Sequence, residues 1–64
     1  MIALKNKIKE LRKQIGMSQA ELSKKMEVSR QTINAIENDK YDPTLSLAFK
    51  LAKCFNVTVD ELFS

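Results

Sequence analysis

An all-α fold of five short helices is the prediction for this 64-residue chain, and three features of the sequence carry it. Apolar residues recur at steps of three and four along almost its whole length, the spacing of helix faces. Ser or Thr stands just before each of the last four apolar runs, at Ser18, Ser29, Thr44 and Thr58. Two of these have Glu three residues on, the capping-box form that opens a helix. The third feature is the shortness of the connections. Only Asn38-Asp39-Lys40-Tyr41-Asp42-Pro43 is a long polar, turn-rich segment.

Taken in order, Leu4, Ile8, Leu11 and Ile15 form one stripe within residues 2–15 and predict the first helix with its buried face. Gly16 ends it where left-handed backbone is cheapest, and apolar Met17 follows as in a Schellman cap. Ser18-Gln19-Ala20-Glu21 opens a second helix that runs to about Met26, with Leu22 and Met26 facing the core. Ser23 beside them is small enough to let another helix approach. Glu27-Val28 leaves room only for a tight turn, because Ser29 is again a good N-cap. The third helix runs from Ser29 to about Glu37 and buries Ile33 and Ile36. Thr44 caps a fourth, whose predicted stripe is Leu45, Ala48, Leu51, Ala52 and Phe55. Thr58-Val59-Asp60-Glu61 opens a short fifth. With no repeat, linker or low-complexity segment, residues 1–64 read as one domain.

A domain of this size buries only about 60% of the surface its unfolded chain exposes, so its core is small. One Cys excludes an intramolecular disulfide, and without His a zinc site of N and S ligands cannot be assembled. Tidy helix packing, association with another subunit, or both must supply the stability. Charge is unevenly placed. Residues 1–40 carry nine basic and five acidic side chains, a balance of +4, and residues 41–64 carry two and three, a balance of −1. The first two-thirds therefore suits an anionic partner, although a solvated lysine-rich face has the same composition.

Several function classes are excluded on inventory. Without His there is no Cys–His or Ser–His nucleophile pair, and with Gly16 the sole Gly there is no glycine-rich phosphate loop. Asp60 and Glu61 are adjacent, so they point apart on a helix and suit its first turn. No enzyme activity, cofactor, metal or small-molecule ligand is expected. Cys54 reads as a small part-buried hydrophobe, with a redox-sensing thiol as the alternative. Met1-Ile2-Ala3-Leu4-Lys5 meets charge too soon for a signal peptide, and no apolar run reaches the ~18–20 residues that span a bilayer. A cytoplasmic protein with no membrane contact is expected.

Two capped helices joined by a two-residue turn, residues 18–37, form a helix-turn-helix. At ~100° per residue, with Arg30 at 0°, Ile33 and Ile36 centre near ~270° on the third helix. Gln31, Asn34 and Asn38 lie near ~100°, ~40° and ~80°, opposite the core, with Arg30 and Ala35 flanking them. Arg pairs with guanine edges, and Gln and Asn with adenine edges, in the major groove of DNA. A polar face of this composition is also ordinary solvated surface. Ser18 and Gln19 stand at a helix N-terminus suited to a phosphate, and Asn38 and Lys40 lie at the far end of the reading helix. Two anchors bracketing a polar face would set the helix register in the groove.

The stretch from Met17 to Lys40 resembles the helix-turn-helix of the lambda-repressor/Cro family, also called the xenobiotic-response-element type. Residues 41–48 and 56–63 look like that family's fourth and fifth helix signatures. The nearest likeness is to stand-alone bacterial and phage regulators of about this length, with no effector domain. The resemblance implies base reading by Ser29, Arg30, Gln31, Asn34 and Ala35. It implies phosphate contacts by Gln19, Asn38 and Lys40, and a structural ion pair between Arg12 and Glu37. Glu27 and Asp39 stand where the family often has Gly, and Ala35 can offer only a methyl contact.

The function expected is a sequence-specific regulator of transcription that binds double-stranded operator DNA, most simply a homodimeric repressor on an inverted repeat. The other class considered is an antitoxin-like or anti-repressor-like module whose ligand is a protein. The polar third helix separates them, since a protein-docking face would expose apolar anchors. Leu47, Phe49 and Phe63 fall off the core stripes and are candidates for a dimer interface, or else fill the edge of the core.

Overall fold

The computed structural model describes residues 5–64. Its elements are α1 (Ile8–Gln14), α2 (Gln19–Met26), α3 (Arg30–Glu37), α4 (Leu45–Cys54) and α5 (Val59–Leu62), with no strand among the described residues. Ser18, Ser29, Thr44 and Thr58 each cap a helix by accepting the N–H three residues on. The boxes Ser18–Glu21 and Thr58–Glu61 are complete. Before α1, Asn6 stands in for a missing cap, its Oδ1 accepting the Ile8 N–H at 3.1 Å.

The first four helices end alike. After α1 the Met17 N–H returns to the Arg12 carbonyl at 3.0 Å and the Gly16 N–H to Lys13 at 3.1 Å. Val28 to Ser23 with Glu27 to Lys24, Lys40 to Ala35 with Asp39 to Ile36, and Val57 to Ala52 with Asn56 to Lys53 repeat this after α2, α3 and α4. These are Schellman motifs, each needing one left-handed residue. That residue has φ of 69° at Gly16, 60° at Glu27, 58° at Asp39 and 56° at Asn56. Three of the four carry a Cβ there, at a cost of order 1 kcal/mol that is lower for Asn and Asp. Met17, Val28 and Val57, the residues that follow, pack half-buried against the core. Lys40, the fourth, is exposed.

Each helix contributes to the core. Ile8, Leu22, Ile33, Ile36, Leu51 and Leu62 are fully buried, and in so small a core truncating any of them to Ala would cost about 2–5 kcal/mol. The helix α2 packs on α3 and α4, and α4 on α5. The Lys7 N–H donates to the Leu62 carbonyl at 2.8 Å and ties the segment before α1 to the end of α5.

Three core expectations change. Ile15 is 58% exposed, because α1 stops at Gln14 and Ile15 lies beyond its last turn. Leu4, in the same stripe, lies outside the described residues. On α4 the stripe is rotated: Leu45 is 70% exposed and Leu47, read as off the stripe and either at a dimer interface or at the edge of the core, is 8% exposed and part of the core. With Leu45 at 0°, Leu47, Leu51, Ala48 and Ala52 fall near ~200°, ~240°, ~300° and ~340°. Their common centre lies about 90° from Leu45. Spacing alone admitted either choice at the first turn.

Candidate nucleic-acid interface

On α3 the side chains of Ser29, Arg30, Gln31 and Asn34 are exposed and Ala35 is half-buried. Its first turn contains no acidic residue. The Ser29 hydroxyl accepts the Thr32 N–H at 3.1 Å and pairs with the Thr32 hydroxyl at 2.9 Å. Gln19, at the start of α2, shares a shallow cleft with Arg30, Gln31 and Asn34. Two helix N-termini and a polar, carboxylate-free face therefore meet on one side of the molecule, a concentration of positive potential and hydrogen-bond donors.

Beneath that face lies a buried polar network. Arg12 Nε donates to Glu37 Oε2 at 2.8 Å, Nη2 to Oε1 at 3.1 Å, and Nη1 to the Met17 carbonyl at 2.8 Å. The Glu37 side chain is 1% exposed. The bond to Glu37 holds the Arg12 guanidinium above its ordinary pKa, against desolvation that pulls the other way. Gln19 Nε2 donates to Glu37 Oε1 at 3.1 Å and to Asn34 Oδ1 at 3.2 Å. Asn38 Nδ2 donates to the Asn34 carbonyl at 2.8 Å and to Asn34 Oδ1 at 3.2 Å. The start of α2 and the C-terminal half of α3 are thus tied to α1 through one carboxylate.

This geometry bears on the residues that the sequence grouped as phosphate contacts. Both amide protons of Gln19 are engaged within the protein. The Ser18 N–H donates to Glu21 Oε1 at 3.0 Å. That bond first, and then the Ser18 hydroxyl acting on the carboxylate, hold the Glu21 carboxyl below its ordinary pKa. The N–H groups of Gln19 and Ala20 remain as the donors of this terminus. At the far end Asn38 and Lys40 are both exposed, but the Asn38 amide nitrogen is engaged on Asn34, which leaves the Lys40 ammonium as the side-chain donor for an anion there.

One residue that sequence reasoning missed is Asn6. Its Nδ2 donates to the Ile36 carbonyl at 2.7 Å and to Asp39 Oδ1 at 3.4 Å, clamping the segment before α1 onto the end of α3. Its sole sequence signal was an Asn two residues before Ile8, inside the segment read as the first helix.

Residues 8–62 match the family described as helix-turn-helix. The chain belongs to that family. An uncharacterized HTH-type transcriptional regulator of Methanocaldococcus jannaschii is 53% identical over 60 residues, 94% of this chain and 91% of that one. Another, of Archaeoglobus fulgidus, is 45% identical over 60 residues, 94% and 86% of the two chains. Among solved structures, the restriction-modification controller protein C.AhdI from Aeromonas hydrophila superposes with a TM-score of 0.78 at 28% identity, covering 89% of this chain and 86% of that one. Helix-turn-helix proteins of this kind are DNA-binding regulators of transcription and not enzymes.

Within this helix-turn-helix chain the three residues grouped as a dimer surface are not together. Leu47 is in the core, Phe63 packs half-buried against it, and Phe49 is 58% exposed beside Leu45. Leu45, Ala48, Val59 and Phe63 line one shallow depression, and Phe49, Ala52, Val57 and Val59 line the next. Cys54 is free and packs against the core. No helix among the described residues is long and apolar enough to cross a membrane.

Proposed function

We propose that this helix-turn-helix regulator is a cytoplasmic homodimeric repressor that places α3 in the major groove at each half of an inverted repeat and occludes a promoter. One observation carries the reading. The outward face of α3 presents Arg30, Gln31 and Asn34 with no carboxylate in its first turn, between the N-terminus of α2 and the exposed Asn38 and Lys40. Arg30 and Gln31 have the reach and donor sets for base edges, Ser29 and Ala35 lie alongside them, and the flanking groups suit phosphates that set register.

Two features support the dimer. Leu45 and Phe49 project from α4 next to two apolar depressions, a knob-and-hollow surface that a two-fold axis can pair with itself. Residues 41–64 carry −1 against +4 for residues 1–40, so two copies meet there with least repulsion and keep their basic halves for DNA. A symmetric dimer reads half-sites about one helical turn apart, ~34–36 Å.

The test is selection from a random duplex-DNA library at ~150 mM salt, where non-specific attraction is weak. Enrichment of an inverted repeat is expected. A single unpaired half-site would remove the dimer. Salt-sensitive binding with no enrichment would overturn DNA reading in favour of a module that docks a protein on Leu45 and Phe49.

A further inference from the structure

An asparagine amide is a donor at one end and an acceptor at the other, and the two ends read different bases. Two independent chains of hydrogen bonds decide which end of Asn34 faces outward. The first starts at Arg12, which can only donate, and passes to Glu37, whose carboxylate only accepts. Gln19 must therefore turn its NH2 group to Glu37, and because that nitrogen also meets Asn34 at 3.2 Å, the atom it meets is an oxygen. The second starts at the Asn34 backbone carbonyl, which also only accepts. Asn38 turns its NH2 to it at 2.8 Å, and the same nitrogen lies 3.2 Å from the Asn34 side chain. Both chains converge on Oδ1. With two donors on that oxygen, its lone pairs are filled, while Nδ2 keeps two protons and has no partner among the described residues.

We infer that Asn34 is a donor-only specificity residue. On the strand it faces it favours a keto base, guanine through O6 and N7 or thymine through O4, over adenine, which offers it N7 alone. It rejects cytosine, whose N4 amine offers only protons. The paired contact of a free Asn with adenine is lost, because it needs Oδ1 to accept from N6. Gln19 acts here as a positioning residue: one amide proton is fixed on Glu37, and the other, with a proton from Asn38, holds Oδ1 inward and so sets the polarity that Asn34 shows to DNA. This assignment rests on the DNA-reading role of α3 and deepens it.

The experiment repeats the duplex selection with Asn34→Ala, Asn34→Asp and Gln19→Ala, each checked for folding by thermal melting. Wild type is expected to enrich guanine or thymine at one position per half-site. Asn34→Ala should erase that preference alone, roughly a two- to tenfold loss of discrimination for one hydrogen bond. Asn34→Asp replaces the outward donor by an acceptor at constant size and should move the preference to cytosine or adenine. Gln19→Ala leaves Asn38 as the sole donor to Oδ1 and should partly admit adenine at the same position. An unchanged motif with Asn34→Ala, or an amino base at that position in wild type, overturns the inference while leaving DNA reading intact. A uniform loss on all DNA with Gln19→Ala returns Gln19 to the phosphate contacts and overturns its positioning role. No enrichment by wild type removes the reading of α3 itself, and this inference with it.

Discussion

The α2–α3 and α4–α5 junctions are built on one plan and serve different ends. Each runs from a Schellman motif through a left-handed residue and a half-buried Val to a Ser or Thr N-cap: Glu27-Val28-Ser29 in the first, Asn56-Val57-Thr58 in the second. Beyond the cap they diverge. The second continues Val59-Asp60-Glu61, whose carboxylates occupy the helix start and complete a capping box. The first continues Arg30-Gln31-Thr32 over an eight-residue helix with no acid in its first turn. The lesson is that local turn chemistry sets the path of the chain, while the few side chains just after the cap decide whether the terminus is closed on itself or left open to an anion. The Schellman motif after α3 shows the same division. Where Met17, Val28 and Val57 cover the core, Lys40 is exposed and available to a phosphate.

The largest expected effect comes from what the first junction is anchored to. Arg12→Met should cost about 3–5 kcal/mol, because it strands the buried Glu37 charge. Urea titration checks this, and Arg12→Met with Glu37→Met should recover part of the loss, since no unpaired charge remains. A single variant as stable as wild type would show that the network does not hold α3 in place.

Next is the open terminus itself. Arg30→Ala should weaken binding to the selected duplex by about 1–3 kcal/mol and relax one base position. Lys40→Ala should weaken all duplexes alike and reduce the salt slope by about one. Equal losses on selected and random DNA would remove Arg30 from base reading, and an unchanged slope would remove Lys40 from the phosphates.

A smaller effect distinguishes the left-handed residues. Glu27→Gly should stabilise the fold by about 0.5–1 kcal/mol by relieving its φ of 60°. Asn56→Gly should give less, since Asn tolerates this conformation. Chemical denaturation midpoints compare them, and a larger gain at Asn56 would contradict the strain argument.

The smallest effect concerns acid. Glu61 is held below its ordinary pKa of 4.5, first by the Thr58 N–H, then by the Thr58 hydroxyl acting on the carboxylate, with Lys7 adding slightly. A depressed folded pKa means the unfolded chain binds more protons, so the stabilisation is present above about 4.5 and is lost as pH falls through the folded value. Melting curves between pH 3 and 6 should show Glu61→Gln, and likewise Glu21→Gln, with a shallower acid limb than wild type. The α3 cap, with Thr32 in the equivalent position, should contribute nothing to that limb.

The sequence by itself determined the caps, the helix order, the turn between α2 and α3, and the polar composition of the outward face of α3. Those depend on contacts within three to five residues, whose partners are visible in the order of the chain. Which face of α4 is buried was a tertiary decision, because Leu45 and Leu47 both satisfied a helical spacing and only packing on α2 and α5 chose between them. Only the fold also brought Asn6 to the end of α3, thirty residues away, and engaged the amide of Gln19 on Glu37 and Asn34. The sequence shows that Asn34 is an amide on the exposed face. Which of its two ends meets solvent depends on donors that reach it from another helix and on a buried carboxylate that can only accept.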